Sequence, residues 1–203
     1  PSALVARWAG CHAMRCGARR ALVDWRLLDA DAQQVRLRRP GMAITLNGLA
    51  QGYAADLALA AVQAHGIRHA LLDTGEFVAR GKKLHHRPWV LGVRDPRDTD
   101  ALAATLQIDG CGMATSGDYA TTFTPDYRHH HIFDPAEGDS PTELSSVTVM
   151  APTAMLADGL STAFMVTGSA RARELATRLP AIDLLLIDKQ GQEWRSPTFP
   201  RPA

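Results

Sequence analysis

A chain of 203 residues is long enough to bury one sizeable core, and 46% hydrophobic with 21% charged residues is the balance of a folded globular domain. No apolar run approaches the ~18 residues of a membrane-spanning helix. A formal net charge of +1, carried mostly by scattered arginines, leaves no concentrated basic footprint for nucleic acid or anionic lipid. The pattern predicts one domain over residues 1–203. Three cysteines (Cys11, Cys16, Cys111) cannot all pair with one another, and Cys11 and Cys16 match no zinc-knuckle spacing.

The sequence opens at Pro1 without a charged-then-apolar leader, so any targeting segment is expected to have been removed or to lie outside this stretch. Residues 1–33 form a lead-in rich in Arg, Ala and Trp, with helical spacing at Ala21, Leu22, Trp25 and Leu28. Residues 34–38 alternate like a half-exposed strand, Pro40-Gly41 turns the chain, and 43–46 completes a predicted hairpin. Between Gly48 and His65, Leu49, Tyr53, Leu57, Ala60 and Ala61 recur at helical spacing, and Gly66 supplies a stop. Short strands are expected at 69–72, 77–79, 89–93, 102–108 and 147–150. Residues 111–145 read as a long Gly-, Thr- and Asp-rich loop of the kind that often carries function. Thr153 caps a predicted helix over 154–167, a second helix covers 170–178, and 183–187 is a buried strand. The class is α+β, with a mixed, largely antiparallel sheet and packed helices.

The helix after Thr153 is apolar nearly all round except for Asp158, Ser161 and Thr162. A carboxylate in that setting needs a partner, whether a backbone turn or a cation. Asp158 and Thr162 stand four apart and share a face, offering a carboxylate and a hydroxyl oxygen to one point, as a hard cation such as Mg²⁺ requires. Asn47-Gly48 lies at a strand-to-helix junction, which suits either a tight turn or close approach to a phosphate. Thr115, Ser116, Gly117 and Asp118 cluster hydroxyls and an acid able to hydrogen-bond a polar ligand. In Arg128-His129-His130-His131-Ile132-Phe133-Asp134-Pro135, alternation sends His129, His131 and Phe133 one way and His130 and Ile132 the other. Three rings so divided cannot converge on one zinc ion without a bend.

The order of these motifs is more specific than any one of them. LNGLAQGYAAD, LLDTGE, WVLGVRDP, ATSGDY, HHIFDP and SVTVMAPTAMLADGLSTAFMVTG, spanning about residues 36–188, resemble the ApbE family of FAD-dependent FMN transferases. The forms LNGLAQGY and TGE look most like the NosX-type branch associated with nitrous oxide reductase maturation. The resemblance implies Mg²⁺-dependent transfer of FMN from FAD to a Thr or Ser hydroxyl of an acceptor flavoprotein, with a NosR-like membrane protein as candidate, and release of AMP. It implies metal ligands at the Gly48 carbonyl, Asp158 and Thr162, with the Ser161 backbone nearby. It implies nucleotide contacts at Thr45, Gln51, Gly75, Thr115, Ser116, Gly117 and His131, with His131 as the acid-base group, and an extracytoplasmic, periplasmic setting. His129 and His130 match nothing the family requires. Thr45 stands where the common pattern has Asp, Gln51 where it has Lys or Glu, and Glu76 where it has Gly, and a further N-terminal segment is expected to be missing. Two other readings follow from the same residues: an FAD pyrophosphatase giving FMN and AMP, and an FAD-binding assembly factor without turnover.

Overall fold

The computed structural model describes residues 22–98 and 100–200, so Cys11, Cys16 and Ala21 lie outside the described residues. Ten strands and two long helices follow in chain order: β1 (Leu28–Ala30), β2 (Val35–Leu37), α1 (Ala50–Ala64), β3 (Ala70–Asp73), β4 (Phe77–Arg80), β5 (Trp89–Arg94), β6 (Leu102–Ile108), β7 (Cys111–Gly117), β8 (Leu144–Ala151), α2 (Ala154–Arg178), β9 (Asp183–Asp188) and β10 (Glu193–Arg195). The main sheet runs β10-β9-β8-β7-β4-β3, and every pairing among the described residues is antiparallel. The α+β class with a largely antiparallel sheet is thus the observed one.

Alternation along the strands divides the core between the two faces of this sheet. Ala114, Val147, Val149, Leu184 and Leu186 meet Ala157, Phe164, Met165 and Ala172 of α2. Met113, Met150, Leu185 and Ile187 point the other way, against Leu91, Val93, Leu106 and Ile108 of the β5–β6 ribbon. All eight residues of β8 are buried as a result. At ~1.5–3 kcal/mol for each fully buried large aliphatic side chain, these two layers supply most of the driving force.

Two local readings change. Residues 43–46 carry no strand, and β2 pairs instead with β1, Leu28 opposite Leu37. The cause is a turn at Asp31, whose Oδ1 accepts from the Gln33 and Gln34 amides (2.8 and 2.9 Å), reinforced by Arg38 donating twice to Asp29, both at 2.7 Å. Among the described residues of the lead-in, the helical spacing yields one 3₁₀ turn at Trp25–Leu27. In addition, the expected loop over 111–145 begins as β7, hydrogen-bonded between β4 and β8. The break expected between two C-terminal helices is real: Gly168 (φ 78°) interrupts α2, and Glu143 Oε1 accepts the Ser169 amide at 3.1 Å as the helix restarts.

The two helices hold each other's N-termini. Leu49 precedes α1 and has no side-chain oxygen, so Asp158 of α2 accepts the Gly52 amide at 3.1 Å. In return Asp56 of α1 accepts the Ala154 and Met155 amides of α2, both at 2.9 Å. Amides left over at a helix start attract anions, and each such cap contributes about 1 kcal/mol. The crossing is close because Gly52 is there: a Cβ on it would sit 2.3 Å from the Ala154 carbonyl oxygen. Gly52→Ala must push one backbone off another and lengthen both caps, so urea denaturation is expected to show a loss of about 1–3 kcal/mol.

Candidate functional site

The exchange of caps leaves one backbone group open. In a continuous helix the Gly52 amide would bond the Gly48 carbonyl, but Asp158 takes it, and no described residue donates to Gly48. The Gly48 backbone lies against the face of α2 that bears Asp158, Gly159 and Thr162. A Cβ on Gly48 would come 3.2 Å from Thr162 Oγ1, and one on Gly159 would come 3.8 Å from the Gly48 oxygen. A chain of hydroxyls continues from there into the sheet: Ser116 Oγ lies 3.1 Å from Thr162 Oγ1 and 2.8 Å from Ser161 Oγ.

A cleft of about 510 Å³ opens beside this cluster. It brings together five of the residues singled out from the sequence (Thr45, Gly48, Ser116, His131 and Thr162) and adds Asn47, Phe123, Ile132 and Phe133. Its size is that of a small-molecule site. Phe123 and Phe133 stack with ring centroids 6.2 Å apart, giving the cleft an apolar wall. The His131 ring is exposed, and its Nδ1 lies 3.3 Å from the Thr121 carbonyl. With Nδ1–H donating there, Nε2 keeps its lone pair. His130 and Ile132 are buried on the opposite side, as alternation requires. His130 is therefore a core residue rather than a bystander: its amide donates to Ser140 Oγ (2.8 Å), and its Nε2 lies 3.1 Å from the Pro141 carbonyl. His129 is tied to Asp139 at 2.9 Å.

Other expected site residues sit elsewhere. Thr115 points away from the cleft, its Oγ1 2.9 Å from Thr148 Oγ1, because neighbours on a strand face opposite sides and Ser116 holds the cleft side. Ser161 stands one residue from Thr162, about 100° around the helix, and is fully buried. Its hydroxyl donates to the Asp158 carbonyl (3.0 Å) and meets Ser116. Gln51 and Gly75 pack on each other: Gln51 Nε2 donates to the Thr74 carbonyl (3.3 Å), and a Cβ on Gly75, at φ +99°, would lie 2.6 Å from that nitrogen. Gly117 is buried against Tyr119, whose ring would be 2.3 Å from an added Cβ.

Asp118 has a role the sequence did not disclose. Fully buried, it takes two bonds from Arg97 (2.8 and 2.7 Å) and one from Lys189. Lys189 also donates to the Tyr127 carbonyl at 2.9 Å, while Arg97 lies over the Tyr127 ring at 4.2 Å. This ionic knot, buried at Asp118, fixes the loop that ends at His131. The distant cations Arg97 and Lys189 gave no local signal of it.

The site is rich in carboxyl groups and poor in cations. Burial raises the Asp158 pKa, against the Gly52 amide, which lowers it. Glu76 is more affected: burial first, then the Asp158 charge, push its carboxyl up to about 8, and its Oε2 has no hydrogen-bond partner. The donors open to the cluster are all hard oxygens (Asp158, the Gly48 carbonyl and Thr162), so they fit a cation such as Mg²⁺ and not a soft metal. Without a cation, the fold holds Glu76 protonated at neutral pH while the unfolded chain ionises it near 4.5. The proton on Glu76 therefore favours the fold at low pH, and that stability is lost as pH rises from about 4.5 through about 8. In chelator-containing buffer, Glu76→Gln should exceed the wild type at pH 9 by on the order of 3 kcal/mol in urea denaturation, and the difference should vanish near pH 4.

Comparison with known proteins agrees on the family. The ApbE family model matches residues 11–186. An FAD:protein FMN transferase of Klebsiella pneumoniae is 35% identical over 167 residues, covering 79% of this chain and 47% of the relative. That of Salmonella typhimurium is 36% identical over 168 residues, with the same shares. The chain thus spans about half the length of the curated relatives it matches. Among solved structures, the ApbE protein of Thermotoga maritima superposes with a TM-score of 0.81 at 31% identity, covering 91% of this chain and 61% of that one. The apo flavinyl transferase ApbE of Pseudomonas stutzeri gives 0.78 at 33%, covering 93% and 62%. A family model matched over most of the length, together with the fold and the ordered motifs, shows that the chain belongs to the ApbE family.

Proposed function

We propose that the chain supplies the cation- and diphosphate-handling part of an FAD:protein FMN transferase. The observation that carries this is the cleft itself, where Gly48, Ser116, His131 and Thr162 meet from four segments far apart in sequence, with Asp158 one turn away. FAD is the flavin donor. The hydroxyl oxygen of an acceptor Thr or Ser attacks the FMN-side phosphorus, the bond from that phosphorus to the bridging oxygen breaks, and AMP leaves with that oxygen. FMN stays on the acceptor through a phosphoester, and the hydroxyl proton passes to His131 Nε2. Asp158, the Gly48 carbonyl and Thr162 would hold Mg²⁺, which would neutralise charge on the diphosphate, the larger part of what phosphoryl transfer asks of a protein.

The remaining groups position and exclude. Thr121 holds the His131 ring by Nδ1, leaving Nε2 toward the cleft, and the Asp118 knot holds the loop. Phe123 and Phe133 offer an apolar surface to a planar ring and keep water from that wall. The forms LNGLAQGY and TGE support placement in the NosX-type branch, with a NosR-like acceptor and a periplasmic setting. None of the described helices is long and apolar enough to cross a membrane.

Full-length protein incubated with FAD, Mg²⁺ and a NosR-like acceptor domain should yield a fluorescent flavin band on a denaturing gel. Asp158→Ala should abolish the band, and His131→Ala should slow its appearance by about 10²–10⁴-fold. FMN and AMP released without acceptor would replace transfer by hydrolysis, and tight FAD binding with no AMP under any condition would replace it by a binding role.

A further inference from the structure

On the cation-site reading above, we infer that Glu76 is a second carboxylate ligand of that site, so that the chain takes up a divalent cation before any nucleotide arrives. Glu76 precedes β4 by one residue and lies two before Val78, which packs with Ala55 and Leu59 of α1 and Ala154 of α2. Side chains two apart on an extended segment share a side. Glu76 therefore faces the helices, on the side where Asp158 meets Gly52. It is only 9% exposed, and its Oε2 is buried with no partner.

The groups that act on Glu76 through charge are Asp158 and Asp73, both of its own sign. The Thr115 amide donates to this carboxyl, but the charged groups around it are acidic and one oxygen stays open, which is costly as it stands, and a cation removes the cost for both carboxylates together. Nothing of the transfer step proposed above needs Glu76, so its burial there is otherwise unaccounted for. With it the site has four protein oxygens: Asp158, Glu76, the Gly48 carbonyl and the Thr162 hydroxyl. An octahedral ion then keeps two positions for the diphosphate or water. A site with one carboxylate relies on substrate phosphates to hold Mg²⁺, whereas two carboxylates match the ion's charge from the protein alone.

The test uses Mn²⁺ as the probe, without FAD, on the 203-residue chain. Paramagnetic resonance of free Mn²⁺ gives the affinity, and thermal melting gives the metal-induced shift. The wild type should bind a single Mn²⁺ and melt higher with it. Glu76→Gln should weaken binding by about tenfold or more and lose the melting shift, while melting no lower than wild type in chelator. Glu76→Gln binding Mn²⁺ within about twofold of wild type, with Asp158→Asn defective, would overturn the Glu76 assignment and leave the cation site standing. Asp158→Asn binding as tightly as wild type would overturn the cation site itself. Wild type that binds Mn²⁺ only after FAD is added would overturn the order of uptake.

Discussion

Two carboxylates exchanged between two helices are the constraint on which the rest of the structure depends. Asp56 of α1 holds the start of α2, and Asp158 of α2 holds the start of α1. Each aspartate satisfies amides that its partner helix cannot satisfy alone, and the exchange needs the backbones as close as Gly52 allows. It also sets the chemistry. Because Asp158 draws off the Gly52 amide, the Gly48 carbonyl is left free beside α2, and a structural cap becomes one edge of an oxygen-lined site.

Against that constraint, the legibility of the chain divides by distance in sequence. The helix at 48–65, the break at Gly168 and the buried strand at 183–187 were readable because periodicity and glycine punctuation are local. Asp158 announced itself as a buried acid in need of a partner, but its partner amide lies 106 residues away, beyond any pattern. The β1–β2 hairpin was misplaced because one aspartate, Asp31, bends the chain earlier than the more conspicuous Pro40-Gly41. In β7 the Gly- and Thr-rich composition suggested a loop, and tertiary pairing with β4 and β8 overrode it. That strand assignment is also why Thr115 and Ser116 part company, one to each face.

The candidate site combines rigid and costly parts. Asp118 is buried and fully paired with Arg97 and Lys189, so it holds the loop bearing His131 with few alternatives. Glu76 is the reverse case, a buried acid left with an open oxygen. A fold that keeps one network complete and another incomplete has located its unmet electrostatic demand at a single point, beside Asp158. Neutralising that carboxyl, by a proton or by a cation, recovers the stability forgone.

The histidine run is fixed by an isolated bridge between Thr122 and His130, which sets the pleat of the segment that follows. Its sidedness is thus a matter of parity. A slip of one residue in that pairing would turn the core ring toward the cleft and sink the cleft ring into the core, whereas a slip of two would restore the assignment. The tip at 124–128 carries no such constraint, because extra residues there leave the pairing of Thr122 with His130 intact.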